Sequence, residues 1–295
     1  MSTTTSPVTP SGTAPVPNRF GRGVLTMLAS ATSTQAGAAV GAGAFPAIGP
    51  AGVVAVRQFV AAAVLIAVAR PPLRRFTRAQ WWPTLTLGGV FATMNLSLYI
   101  AIERIGLGLA VTLEFLGPLA VALLGARSRR DLGCALAGAF GVYVLVLPGP
   151  ASDYAGVAFG LVAAGCWAGY ILLNRRLGAD LPGLAAPAAA SGIAALIYTP
   201  VLVILVAQGH FTAAALGYAC GAGLLSSAVP YAADLAALRW VPQRFFGAFM
   251  SVHPALAALA GLLILGQHPA AHEWLGIAII TTTNAIAISF TRRRA

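Results

Sequence analysis

Long apolar runs alternate with short polar breaks along almost the whole chain. The runs cover about 24–45, 50–69, 82–102, 106–125, 131–148, 155–173, 185–206, 215–237, 245–264 and 273–290. At ~1.5 Å per residue, runs of this length match a hydrocarbon core of ~30 Å. The pattern predicts an all-α integral membrane protein with ten transmembrane helices joined by tight connections. Residues 1–21 break the pattern. They are rich in Ser, Thr and Pro and nearly lack large apolar side chains, so a disordered tail is expected there. Arg19 and Arg22 before an apolar run imitate a signal peptide, but the run to about Phe45 is longer than a signal core and serves as a first span.

Composition narrows the class. With 58% hydrophobic and 8% charged residues, the chain cannot build the water-facing surface of a soluble domain. All eighteen basic residues are Arg, and sixteen fall in six clusters: Arg19 and Arg22; Arg70, Arg74, Arg75 and Arg78; Arg127, Arg129 and Arg130; Arg175 and Arg176; Arg239 and Arg244; Arg292, Arg293 and Arg294. Two spans separate each cluster from the next, so every cluster returns to one face. Loops rich in Lys and Arg stay in the cytoplasm, which predicts cytoplasmic N- and C-termini in a bacterial inner membrane. The net charge of +11 is dispersed among these loops rather than gathered in a patch, so nucleic acid is not an expected partner. Trp81, Trp82, Trp240 and Trp274 sit at span ends as interfacial anchors. Cys134, Cys166 and Cys220 lie inside apolar runs without metal-ligand spacing and read as small packing residues.

An internal repeat organises the spans. EFLGPLAVALLGA from Glu114 resembles MSVHPALAALAGLL from Met250, and Pro118 matches Pro254 at an offset of 254 − 118 = 136 positions. Span 3 lines up with span 8 at the same offset. The expected domains are 22–148 and 155–290, five helices each. An odd number of spans turns the second half upside down, the inverted-repeat plan of secondary transporters with a site near the midplane.

Charges near the bilayer centre are costly, about 2.5–3.5 kcal/mol or more, and mark paired groups or polar cavities. Arg57 lies seven residues into span 2 and Glu114 eight into span 4, so the two reach nearly equal depth. Asn95 and Gln35 come to a similar level, so four helices of the first half converge on one slab. The Arg57–Glu114 combination either locks helices together or forms a site in which Glu114 takes a proton or an amine and Arg57 a carboxylate. Pro118 removes the hydrogen bond to the Glu114 carbonyl and predicts a helix break there; Pro254 does the same for Met250. His253, beside that second break, is either a titrating group or a packing hydrogen-bonder. Trp167, mid-span, is an aromatic wall or bulk packing. Asp234 and Arg239 read as a gate or interfacial ion pair. His268 and His272 flank Pro269 in a loop and do not suggest a metal site.

The runs LAVTLEFLGPLAVALLGARS and AVPYAADLAALRWVPQRFFGAFMSVHPALAALAGLLILGQ, together with Arg57 and CWAGYIL in span 6, resemble the EamA branch of the drug/metabolite transporter superfamily. The likeness covers about 22–290 and is nearest to bacterial threonine and homoserine exporters. It implies ten helices in two inverted five-helix repeats and export of small amino acids or related metabolites, commonly by proton antiport. The expected partners are a small-molecule substrate, protons and the lipid bilayer, with a homodimer left open; no cofactor is expected. His253 and Gln267 stand where that family usually has Glu, which takes the acid out of coupling schemes built on the second half. Three readings compete: a multidrug or nucleobase exporter of the same superfamily, a membrane-embedded lipid-modifying enzyme, and a passive channel. The chain lacks an Asp-rich metal motif or a Ser–His pairing at catalytic spacing, which argues against the enzyme.

Overall fold

The computed structural model describes residues 19–124, 128–147, 149, 152–180 and 184–291, and among these no strand occurs. In chain order the helices are α1 (Arg19–Ala42), α2 (Phe45–Ala69), α3 (Arg78–Ile105), α4 (Leu107–Glu114), α5 (Leu116–Leu123), α6 (Arg129–Val146), α7 (Tyr154–Asp180), α8 (Ala185–Ala207), α9 (Ala213–Gly223), α10 (Val229–Ala237), α11 (Gln243–Phe249), α12 (His253–Leu265) and α13 (Ala271–Thr291). Among the described residues, six helical stretches are long and apolar enough to cross a membrane: 45–69, 78–105, 154–174, 185–207, 213–234 and 245–265. Residues 107–123 form a shorter apolar helix.

Local chemistry sets the ends. Thr77 and Gln80 cap α3 reciprocally, and Ser128 and Asp131 do the same for α6. In α2, Gly49 adopts φ +64° just before Pro50, so the regular helix starts at the expected span boundary. The tail expected over 1–21 lies outside the described residues as far as residue 18; Arg19–Gly21 already belong to α1, where the Phe20 ring packs on Phe245 at 5.0 Å. Arg127 and Arg292–Arg294 also lie outside the described residues.

Three rods are interrupted. Only Phe115 separates α4 from α5, with Pro118 in the first turn of α5. A three-residue turn, Met250–Val252, joins α11 to α12 just before Pro254. A widened turn, Leu224–Ala228, joins α9 to α10, where Pro230 cannot donate to the carbonyl of Ser226.

The pairing of helices is regular. α1 runs along α9, α10 and α12, while α3 and α4 both pack on α7; α2 crosses α8 and α9, α4 crosses α12, and α6 lies on α13. The α1 seam is very tight. A Cβ at Gly37 would fall 2.4 Å from Ser226 Oγ, and one at Gly41 2.9 Å from the Ala222 Cβ. Ser30 donates to the Pro230 carbonyl (3.3 Å), Ser33 to that of Leu225 (2.8 Å), and Ser226 returns a bond to that of Thr34 (2.9 Å). Gly165 and Gly169 share the four-residue spacing but face open space, so no backbone approaches them. One large buried cluster, including Ile48, Val53, Tyr99, Ile102, Leu107 and Val111, fills the end opposite the arginine clusters.

Candidate functional site

A cavity of about 380 Å³ lies among the interrupted rods. Gln35, Arg57, Asn95, Glu114, Trp167 and His253 all line it, so the four residues that the sequence places at one depth share one chamber with Trp167 and His253. The cavity reaches toward the arginine-rich end. Its wall includes Leu65, Ser191 and Asp234, which stand 69 − 65 = 4, 191 − 185 = 6 and 237 − 234 = 3 residues from the helix ends on that side. Toward the other end Tyr99, fully buried, closes it beneath the large apolar cluster.

Arg57 is held from two sides. Its guanidinium donates to Asn95 Oδ1 at 2.5 Å and lies 5.3 Å above the Tyr99 ring. Asn95 is itself oriented by donating from Nδ2 to the Phe91 carbonyl at 2.8 Å. Its amide therefore has one acceptor free for Arg57 and no rotational choice. Arg57 Nε keeps a proton without a partner. Among the described residues Arg57 and Glu114 form no ion pair; the cation that the sequence sets level with Glu114 is tied to Asn95 instead.

Glu114 ends α4 and is 6% exposed, with no hydrogen bond or ion pair among the described residues. The break at Phe115 aims the end of α4 into the cavity. Phe115 then builds the aromatic wall: its ring meets Trp167 edge-on at 4.6 Å and stacks on His253 at 5.6 Å. Trp167 is thus a wall residue. His253 is buried, and its Nδ1 is 2.9 Å from Gln35 Nε2; the amide donates, so Nδ1 is the accepting nitrogen.

Asp234 lines the cavity mouth with Oδ1 unpartnered, while Arg239 is exposed and forms no ion pair with it among the described residues. Three further lining residues went unread in the sequence: Gln58, Tyr99 and Tyr231, each with a buried polar atom lacking a partner. Gln58 stands next to Arg57, and this adjacency to an intramembrane charge was the one signal that could have flagged it. Outside the cavity, Gln267 accepts from the Leu107 N–H at 2.9 Å and caps the start of α4.

The chamber presents fixed donors on one wall and the carboxyl groups of Glu114 and Asp234 elsewhere, with aromatic faces between. The second half of the chain, residues 154–289, matches the EamA-like transporter family. The threonine/homoserine exporter RhtA of Salmonella typhimurium is 37% identical over 271 residues, 90% of this chain and 89% of its own. The RhtA of Escherichia coli K12 is 38% identical over 249 residues, 83% of each. A solved crystal structure, 18% identical, aligns over 94% of this chain and 99% of its own with a TM-score of 0.55, a likeness of fold alone. With several apolar helices and exporters for relatives, the chain is a multi-pass membrane protein. A 37% identity that runs nearly end to end in both chains places it in the EamA-like transporter family.

Proposed function

We propose that the chain is a bacterial inner-membrane secondary transporter that exports small amino acids of the threonine and homoserine type, or related metabolites, in exchange for protons. The observation that carries this reading is the cavity itself: a cation fixed by Asn95 faces the same chamber as an acid with no protein partner. That pairing of groups suits a zwitterion. Arg57 and Asn95 meet the carboxylate, and Glu114 takes the ammonium group or exchanges it for a proton. Gln35 and His253 hold the second break in place, and Trp167 walls the cavity.

The ten-span, two-repeat arrangement belongs to the same proposal. It counts α4–α5, α9–α10 and α11–α12 as one rod each. The helix pairing supports it: shifting every rod by five turns the contact of α1 with α9–α10 into that of α3 with α7. The same shift turns α1 on α12 into α4–α5 on α7, and maps α6 on α13 onto itself. Rocking of two inverted halves about the cavity then supplies alternating access, with both termini in the cytoplasm.

The test is efflux of preloaded labelled threonine from proteoliposomes under an imposed pH gradient, wild type beside Glu114→Gln. Gradient-driven efflux should fall at least a hundredfold in the variant. Efflux with unchanged pH dependence in Glu114→Gln would remove the proton role. The aromatic wall of Phe91, Phe115, Trp167 and Tyr170 favours a second reading, export of aromatic cations or nucleobases. Efflux of such solutes without threonine efflux would select it.

A further inference from the structure

We infer that the cavity accepts amino acids carrying a second ammonium group on the side chain, with Asp234 as the ligand of that group. The inference rests on the amino-acid reading above and adds a substrate class to it. Besides His253, engaged with Gln35, the ionisable groups of the lining other than tyrosines are Arg57, Glu114 and Asp234. Their formal charges sum to +1 − 2 = −1. A neutral zwitterion leaves one negative charge in a low-dielectric chamber unless a proton accompanies it. A solute with one carboxylate and two ammonium groups cancels it directly.

The unpartnered atoms agree with that division. On the Arg57 wall, Arg57 Nε and Gln58 Nε2 are donors without acceptors, and Gln58 is 4% exposed. They face a carboxylate. At the mouth, Asp234 Oδ1 is an acceptor without a donor, although the Ser30 hydroxyl is beside the carboxyl group. Tyr231, one turn earlier, is likewise unpartnered at its hydroxyl. Glu114 lies between the two walls.

Depth sets the chain length. Glu114 is 123 − 114 = 9 residues from the arginine-rich end of α5, and Asp234 is 3 from that of α10. At ~1.5 Å per residue the two acids differ in depth by roughly 9 Å. An extended lysine-type solute separates its ammonium groups by six bonds, roughly 7.5 Å, which comes close to that difference when each acid meets its ammonium group from the side. Diaminopropionate, with its amines three bonds apart, is too short to engage both acids.

The experiment uses the full chain in proteoliposomes loaded with labelled threonine, with diaminopropionate, ornithine and lysine as external competitors. Inhibition should rise along that series, by at least tenfold from the shortest to the longest. Asp234→Asn should then lower the lysine-over-threonine selectivity at least tenfold. If threonine exchanges while none of the three competes, or all compete equally, the inference is overturned and the exporter reading stands. If neither threonine nor lysine exchanges, both are overturned. Unchanged selectivity in Asp234→Asn with a length-dependent series would remove Asp234 as the ligand. The length series needs no substitution, so a variant that failed to fold would leave the wild-type result decisive.

Discussion

The rod α4–α5 breaks at one residue, Phe115, whereas α11–α12 needs a three-residue turn, Met250–Val252, though each carries a proline just beyond its break. At the 136-residue offset that matches Pro118 to Pro254, Glu114 corresponds to Met250 and Gly117 to His253. One break therefore holds an acid and an empty side-chain position, the other a thioether and an imidazole. Gly117 lets α5 close on α7, where a Cβ would fall 2.3 Å from the Ala164 carbonyl oxygen. His253 instead fills the corresponding gap against α1 by bonding Gln35. The two breaks then meet, Phe115 stacked on His253. At matching positions the two breaks thus carry different side chains, a buried acid at one and an imidazole bonded to α1 at the other.

The sharpest way to break this comparison is to weaken each side in turn. Glu114→Gln should abolish gradient-driven efflux, while His253→Gln should cost only a few-fold, since it removes one hydrogen bond worth ~1 kcal/mol, about fivefold. Equal losses in the two variants would show that the second break carries chemistry too. Gln35→Ala on the His253→Gln background should add little further loss, because the two side chains share one bond.

Gly117→Ala probes the closure. The added methyl meets backbone rather than a yielding side chain, so a destabilisation of about 1–3 kcal/mol is expected. Thermal unfolding in detergent reads it as a fall in Tm. An unchanged Tm would mean that α5 stands clear of α7. Gln267→Ala acts more gently on the same rod by removing the acceptor at the Leu107 N–H, a cap worth about 1 kcal/mol.

Much of this rod was legible in the sequence because proline chemistry is local. Pro118 and Pro254 place the breaks without knowledge of any neighbour, and counting residues along spans brought Gln35, Arg57, Asn95 and Glu114 to one level. Depth, however, is only one coordinate. Whether Arg57 faces Glu114 or Asn95 depends on the rotation of α2 about its axis, which residue counting along an apolar helix does not fix. The same blindness hid Gln58, turned into the same chamber beside Arg57. The sequence pairs Asp234 with Arg239, five positions on, but α10 ends at Ala237 and Arg239 lies in the turn beyond it, off the face that carries Asp234. Asp234 turns to the cavity and Arg239 to the exterior.

The smallest expected effect separates the cavity from the one ion pair seen among the described residues. Arg104 meets Asp153 at 3.1 Å, at the end opposite the arginine clusters. The Gly156 N–H, and after it Arg104, hold the Asp153 carboxyl below the usual carboxylate range. A carboxyl group depressed in this way lends stability that is present above its unfolded pKa, near 4, and lost only as pH falls through the lower folded value. The pair is therefore fully formed between about pH 5 and 8, and protonation of Asp153 contributes nothing to a transport profile in that window. Asp153→Asn should leave the shape of that profile unchanged, while Glu114→Gln flattens it. A profile that moved with Asp153 instead would shift the proton-sensitive step from the broken helix to the end of α3.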